Sequence, residues 1–215
     1  MFDRRARELC RPVLEGAGGR LARLGVRANA LTAVGWLVGV GACVAVSQRQ
    51  WMMALVAWMA NRVIDGLDGA LARRRGVTEL GGYLDLLADF SVYAGFVVAL
   101  ALAEPTTRAA AVVLLFSYYL SGTALLAGSA LLDRRGVARG DDRSINFLGG
   151  LAEGLETMVA YVVILIVPSR ATWVEWTFTA MVFVTALQRI DGVRRALRDA
   201  PRFVRDTPSQ PARAA

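Results

Sequence analysis

Six long apolar runs divide this chain, and they constrain its fold more than any other feature. They cover approximately residues 30–48, 51–72, 83–103, 109–132, 147–167 and 171–190. At a rise of about 1.5 Å per residue, a helix of about 20 residues crosses a hydrocarbon layer of about 30 Å. The composition agrees, because 55% of the residues are hydrophobic and the mean hydropathy is +0.43. We therefore predict an all-α integral membrane protein with six transmembrane helices.

The arginines predict how these helices are oriented. All 25 basic residues are arginine. Twenty-one of them lie before the first run, between the second and third, between the fourth and fifth, or from the end of the sixth run onward. The loops on the other side hold only Arg49, Arg108 and Arg170, and Arg62 lies inside the second run. Because Lys and Arg concentrate in cytoplasmic loops, we predict cytoplasmic termini and a location in a bacterial inner membrane.

The net charge of +7 reflects this topology and contact with anionic membrane lipids, not nucleic-acid binding. Aromatic residues that could stack on bases do not interleave with the basic clusters. We divide the chain into a cytoplasmic amphipathic juxtamembrane segment (1–28), a six-helix transmembrane domain (29–192) and a disordered cytoplasmic tail (193–215). In the first segment, Phe2, Leu9, Val13 and Leu14 predict an interfacial helix over residues 2–24. We expect the glycines at positions 16, 18 and 19 to break it.

Four aspartates lie in the stretch DGLDGALARRRGVTELGGYLDLLAD, residues 65–89, at the facing ends of the second and third runs. Asp65 and Asp68 are spaced i, i+3, and Asp85 and Asp89 are spaced i, i+4, so each pair shares one helix face. Carboxylates inside a membrane are costly and indicate function. One divalent cation, or two, would relieve their repulsion. Since the chain contains no histidine, an oxygen-ligated ion such as Mg²⁺ or Mn²⁺ is favoured over zinc.

Small residues accompany the aspartates on the same helix. Gly66, Gly69 and Ala72 leave space for a ligand to approach the backbone, although such stripes also serve tight helix packing. Arg73 is placed to meet a phosphate at the membrane surface.

The pattern Asp65-x₂-Asp68-Gly69-x₂-Ala72-Arg73, followed by Gly81-x₃-Asp85-x₃-Asp89, resembles the signature of the CDP-alcohol phosphotransferase family. It departs from the family pattern once, because seven residues instead of eight separate Arg73 from Gly81. Asn29-Ala30-Leu31-Thr32 also resembles the family's N-x-L-T sequence at the start of the first span. The resemblance covers about residues 1–190 and is strongest over 65–89.

The resemblance implies an activity and a role for each matching residue. Members transfer a phosphatidyl group from a CDP-linked donor, often CDP-diacylglycerol, to a small alcohol, and they release CMP. Asp65, Asp68 and Asp85 would then hold two Mg²⁺ or Mn²⁺ ions, and Asp89 would add a ligand and act as the general base. The residues implied at the nucleotide are Asn29, Thr32, Gly69, Ala72 and Arg73. A homodimer is expected, as in many members.

The sequence leaves the acceptor alcohol open. The basic groups that could hold a phosphorylated acceptor, or simply set the topology, are Arg134, Arg135, Arg139, Arg143 and Arg189. Asp141 and Asp142 could instead favour a cationic acceptor. Glu153 and Glu156, at the start of the fifth run, could line the acceptor cavity or only reach water and Arg143.

Two other functions are compatible with intramembrane carboxylates. A small divalent-cation transporter is the main alternative, but the acidic cluster lies at one membrane face and no inverted repeat is visible. An aspartate-rich membrane prenyltransferase is a further alternative, because Asn61-x₃-Asp65 is similar to its motif. That class has larger bundles with two separated motifs.

Overall fold

The computed structural model describes residues 2–136 and 150–199, and all structural statements below refer to these residues. Within them the chain is helical, with two 3-10 turns, Pro105–Thr107 and Pro168–Arg170, and no strand. The seven α-helices are α1 Phe2–Arg23, α2 Ala28–Ser47, α3 Trp51–Arg75, α4 Glu79–Ala103, α5 Arg108–Arg134, α6 Gly154–Ile166 and α7 Ala171–Asp199. This confirms the predicted all-α class.

Three of the described helical segments are long and apolar enough to cross a membrane: Ala28–Ser47, Glu79–Ala103 and Pro105–Arg134. A fourth would be added if the pair Gly154–Ile166 and Pro168–Arg198, bent by 116° at its break, counts as one span. Helix α3 is as long as α4, but it carries Arg62 and the first two aspartates within its apolar run.

The glycines of α1 do not break the helix, contrary to the sequence prediction. Helix α1 continues through them to Arg23 because they provide space for α3. A Cβ placed on Gly18 would lie 3.1 Å from Cβ of Ala70. In the reverse direction, the Leu14 side chain covers Gly66, where a Cβ would lie 3.1 Å from Cδ1 of Leu14. Helix α1 therefore packs against the α3 segment that carries the first aspartate pair.

Helix α6 is shorter than the predicted fifth span of residues 147–167. It begins at Gly154, while residues 150–153 are not helical and residues 147–149 lie outside the described part. The backbone N–H of Ala152 donates to Oγ1 of Thr185 (2.7 Å), and that of Leu151 donates to Oε1 of Gln188 (2.9 Å). These bonds to α7 satisfy the backbone before α6 begins, so an apolar run alone does not locate the start of this helix.

The other end of the chain also differs in length from the prediction. Helix α7 continues to Asp199, into the segment that was predicted as a disordered tail, and residues 200–215 lie outside the described part.

An aromatic cluster fills the bundle between α3, α4, α6 and α7. Phe96 and Tyr161 stack with their ring centroids 3.9 Å apart, and Trp58 lies 5.1 Å from Tyr161. All three side chains are buried, and Tyr93 and Phe178 extend the cluster. Because Tyr93 lies one turn after Asp89 on α4, this cluster closes the aspartate region on the side of the bundle interior.

Candidate active site

Three of the four predicted aspartates converge. Carboxylate oxygens of Asp65, Asp68 and Asp85 all lie within 4.8 Å of one another. Asp68 is buried and the other two are half-buried. Two like charges about 4 Å apart repel by roughly 4 kcal/mol at an effective dielectric of ~20, so this geometry favours a bound cation. The prediction that α3 and α4 bring their aspartates face to face is confirmed for these three residues.

Asp89 does not belong to that three-carboxylate cluster. Its Oδ1 accepts a hydrogen bond from Nη2 of Arg62 at 2.9 Å. Nη1 of the same guanidinium lies 3.7 Å from Oδ2 of Asp65. Arg62 therefore lies between the first aspartate of α3 and the last aspartate of α4.

The guanidinium of Arg62 is fixed by hydrogen bonds and by contacts with two aromatic rings. Nε and Nη2 donate to Oδ1 of Asn61 at 2.8 and 2.6 Å, and Nη1 donates to the Tyr93 hydroxyl at 2.7 Å. Its Cζ lies 5.0 Å from the ring centroids of both Trp58 and Tyr93, within cation–π range. Asn61 is itself buried, and its Nδ2 donates to the Gly35 carbonyl at 2.8 Å.

Arg62 is the site residue that the sequence interpretation missed. It was treated only as the arginine left over from the topology count. Two signals were available: it is the only arginine in the interior of an apolar run, since Arg189 lies at the end of its run, and it precedes Asp65 by three residues, on the same helix face.

A pocket lies between α2, α3 and α4, with all four aspartates and Arg62 in its wall. Helix α2 contributes Thr32 and Trp36. The Thr32 hydroxyl donates to the Ala28 carbonyl at 3.2 Å and lies beside the Asp68 carboxylate. Trp36 Nε1 donates to the Ser91 hydroxyl at 2.9 Å and so ties α2 to α4 at the pocket rim.

The remaining residues predicted at the nucleotide, three toward the end of α3 and one at the start of α2, are not part of this pocket wall. A Cβ on Gly69 would lie 3.4 Å from Nη1 of Arg73, so the Arg73 side chain extends along the Gly69 backbone. Ala72 is half-buried, and Asn29 is exposed at the start of α2. Asn29 lies next to α4, because a Cβ on Gly81 would lie 3.2 Å from its Oδ1.

The shortened loop between Arg73 and Gly81 is closed by local backbone geometry. Gly76, directly after α3, has a φ of 98°, which side chains other than glycine rarely adopt. Thr78 then caps α4, because its Oγ1 accepts a hydrogen bond from the Gly81 N–H at 3.1 Å. The missing residue therefore leaves the helical spacing from Gly81 to Asp89 intact.

The two glutamates before and within α6 form its N-terminal cap. Oε1 of Glu153 accepts from the Gly150 N–H at 3.0 Å, and Oε2 of Glu156 accepts from the Glu153 N–H at 3.1 Å. Glu153 also accepts from the third residue of the helix, which completes a capping box. Their carboxylates are thus engaged with backbone groups.

The arginines considered for a phosphorylated acceptor fall into three groups. Nη1 of the buried Arg189 donates to the Ser121 hydroxyl and carbonyl at 2.8 and 3.1 Å. Arg134 and Arg135 are exposed at the end of α5. Arg139 and Arg143 lie outside the described residues, as do Asp141 and Asp142.

The sequence profile of the family described as CDP-alcohol phosphatidyltransferase matches residues 26–187. The chain belongs to this family. It is therefore a phosphatidyltransferase, an enzyme that transfers substituted phosphate groups, and not a cation transporter or a prenyltransferase. The matched region contains the four aspartates, Arg62 and all the predicted nucleotide residues.

Two curated relatives are similar to this chain over most of its length. The inner membrane protein YnjF of Escherichia coli K12 is 37% identical over 196 residues, which cover 88% of this chain and 94% of YnjF. The archaetidylinositol phosphate synthase of Pyrococcus horikoshii is 31% identical over 175 residues, 78% of this chain and 90% of that protein.

Solved structures of Mycobacterium tuberculosis phosphatidylinositol phosphate synthase PgsA1 share the fold. With CDP-DAG bound, that enzyme gives a TM-score of 0.70 at 19% identity, over 85% of this chain and 94% of its own. In complex with manganese and citrate, the TM-score is 0.69 at 19% identity, over 84% and 88% of the two chains.

Proposed function

We propose that this enzyme transfers a phosphatidyl group from a CDP-linked lipid, CDP-diacylglycerol, to the hydroxyl of a small alcohol and releases CMP. The observation that carries the proposal is the convergence of Asp65, Asp68 and Asp85 beside Asp89, within the family motif. The PgsA1 structure with bound CDP-DAG supports the choice of donor.

We propose Mg²⁺ or Mn²⁺ as the cofactor, held by Asp65, Asp68 and Asp85. The donor set fits such an ion, since three carboxylates within 4.8 Å offer only hard oxygen ligands. A bound divalent ion would neutralise the pyrophosphate and stabilise the leaving CMP. The structure of PgsA1 with manganese supports this cofactor. The resemblance also implies a second ion and a ligand role for Asp89, and the contacts of Arg62 with Asp89 and Asp65 bear on both.

We propose Asp89 as the general base. The hydroxyl oxygen of the acceptor alcohol would attack the β-phosphorus, and an oxygen of the Asp89 carboxylate would accept the hydroxyl proton. A new phosphorus–oxygen bond forms, the bond to the CMP oxygen breaks, and the proton remains on Asp89. Because Oδ1 is bonded to Arg62, Oδ2 is the oxygen assigned to this proton.

The nucleotide would bind between α2 and the ends of α3 and α4. Gly69 and Ala72 leave room for the cytidine beside α3, and Arg73 would contact a phosphate through its guanidinium. Asn29 and Thr32 would add polar contacts from α2. The positions of Arg73 along Gly69 and of Thr32 beside Asp68 support this arrangement.

For the membrane arrangement, we propose that α2–α7 form six crossings with both termini and the active site on the cytoplasmic side of the inner membrane. Helix α1 would lie at the interface, and the chain would form a homodimer. The arginine distribution supports this orientation. Single cysteines at positions 49 and 75, in a chain without Cys10 and Cys43, test it. A membrane-impermeant thiol reagent applied to intact cells should label position 49 and spare position 75.

The test of the activity is CMP release by the purified full-length protein with CDP-diacylglycerol and Mn²⁺ or Mg²⁺. The acceptor panel contains inositol phosphate, glycerol 3-phosphate, serine, choline and ethanolamine, with inositol phosphate first because of the Pyrococcus relative. Asp89→Asn should fold and bind the metal but release no CMP. Asp191→Asn, on an exposed residue of α7 that pairs with Arg195, is the matched control. Full activity of Asp89→Asn would refute the base assignment, and no release with any acceptor or CDP donor would refute the function.

A further inference from the structure

We propose that Arg62 takes the place of a second divalent cation, so that this enzyme binds one metal ion per chain at its four aspartates. The inference rests on the proposed function, because it concerns how the same site balances its charge. Asp65, Asp68 and Asp85 would share one metal ion, while Asp89 is paired with the positive charge of Arg62.

The position of the guanidinium carries the proposal. A second metal ion beside the first would need Asp89 and a carboxylate shared with the cluster. Nη2 of Arg62 contacts Asp89 at 2.9 Å, and Nη1 lies 3.7 Å from Asp65. Both carboxylates would be among the candidate ligands of such an ion. A cation there would displace the guanidinium or lie against its positive charge.

Arg62 cannot easily move away from this position. Two of its nitrogens donate to the buried Asn61, which is fixed by the Gly35 carbonyl of α2. A third donates to Tyr93, and the rings of Tyr93 and Trp58 flank the group. A charge this deep in the bundle is retained only where its partners are in place.

The same contacts argue against Arg62 as a substrate-phosphate ligand. Four of its five N–H groups already donate to Asn61, Tyr93 and Asp89, and the fifth, on Nη1, lies on the nitrogen 3.7 Å from Asp65, so a phosphate would compete with these oxygens. Arg73 and Arg74, at the exposed end of α3, are available without such a loss. The role of Arg62 is therefore to balance charge and to position Asp89.

The first experiment counts bound Mn²⁺ on the purified full-length protein, without any lipid donor. Electron paramagnetic resonance of free Mn²⁺ across a titration gives both the stoichiometry and the affinity. We expect one Mn²⁺ per chain, without the dipolar coupling of a Mn²⁺ pair. Two ions per chain in the wild-type protein would overturn the proposal, and this result does not depend on whether any variant folds.

Two variants of Arg62 and one control variant then test the role of Arg62. Arg62→Met removes the charge and should bind a second Mn²⁺, whereas Arg62→Lys keeps the charge and should bind one. Arg74→Met, which removes a charge from the exposed end of α3, should bind one ion like the wild-type protein. A folded Arg62→Met protein with a single Mn²⁺ would contradict the proposal.

Asp89→Asn provides an independent measurement. If Asp89 is paired with Arg62 instead of a metal, the Mn²⁺ affinity should change by less than about tenfold, equivalent to ~1.4 kcal/mol. A larger loss would make Asp89 a metal ligand and overturn the proposal. These binding results are separate from CMP release. A one-ion protein without transferase activity would refute only the proposed function, and an active two-ion protein would refute only the role of Arg62.

Discussion

Gly39 of α2 lies directly against Val92 of α4, so that a Cβ on Gly39 would stand 2.7 Å from Cγ2 of Val92 and 3.0 Å from Nδ2 of Asn61. This contact sets the distance between α2 and α4. Because Asp89 precedes Val92 by three residues, the same contact fixes how α4 presents its aspartates to α3. A residue without a side chain thus controls the geometry of the charged site.

Gly39→Ala should therefore destabilise the protein. Overpacking of a tight contact costs about 1–3 kcal/mol, and here Val92 and Asn61 would both have to shift. Gly41→Ala is the matched control on the same helix, because a Cβ there meets nothing within 4 Å. We expect a lower thermal midpoint in detergent and lower Mn²⁺ affinity for Gly39→Ala, and neither for Gly41→Ala. Equal midpoints for the two variants would show that α2 and α4 are not packed this closely.

Asp68→Asn should abolish high-affinity metal binding. Asp68 is 5% exposed and is the most buried member of the three-carboxylate cluster, so its loss removes a ligand charge that solvent cannot replace. We expect Mn²⁺ affinity and CMP release to fall by more than about tenfold, equivalent to ~1.4 kcal/mol. Asp191→Asn, on the exposed face of α7, serves as the control for a general charge effect. Unchanged Mn²⁺ affinity in Asp68→Asn would place the metal elsewhere.

Arg73→Ala should raise the KM for the CDP-linked donor more than it lowers kcat. The Arg73 side chain extends along Gly69 on α3, where its guanidinium would contact a substrate phosphate without touching the reacting hydroxyl. The nearby Arg75 instead donates to the Ala22 carbonyl of α1 at 2.8 Å. Arg75→Ala should leave the donor KM unchanged. If the two variants have similar KM values for the CDP-linked donor, Arg73 does not contact the nucleotide.

The sequence predicts the helices well where apolarity alone defines them. The runs at 30–48, 51–72, 83–103 and 109–132 end within three residues of the bounds of α2 to α5, apart from the start of α4, which lies four residues before its run. Helix α6 differs because polar groups decide its start. Its capping box and the bonds from residues 151 and 152 to α7 depend on a tertiary neighbour that spacing does not reveal.

The site shows the same division between local and tertiary information. The i, i+3 and i, i+4 spacings correctly predict that the two aspartate pairs face each other, because each spacing fixes a helix face. The partner of Arg62 could not be predicted so directly. Asp89 is 27 residues away on another helix, and their contact depends on how α3 is rotated against α4. The glycines of α1 likewise allow close packing against α3. Local helix propensity alone predicts a helix end at these glycines.

Glu156 should stabilise the start of α6 through its hydrogen bond and not through its charge. Glutamine can replace glutamate at the third position of a capping box, whereas alanine cannot. Glu156→Gln should therefore preserve both stability and acceptor preference, and Glu156→Ala should lose about 1 kcal/mol of stability. Thermal midpoints and the acceptor panel test this. A changed acceptor preference in Glu156→Gln would instead indicate that Glu156 lines the acceptor cavity.

Glu175 should be a site where an apolar residue stabilises the protein. Its side chain, on α7, is 1% exposed, and neither carboxylate oxygen has a hydrogen-bond partner among the described residues. A buried polar group without a partner costs about 1–3 kcal/mol, so Glu175→Leu should raise the thermal midpoint. Glu104→Leu is the matched control, because Glu104 is partly exposed and pairs with Arg49 at 3.4 Å. Loss of that pair should lower the midpoint slightly, by at most ~1 kcal/mol of stability. If Glu175→Leu instead unfolds the protein or abolishes CMP release while Glu104→Leu does neither, the Glu175 carboxylate has a partner or a role in the working enzyme.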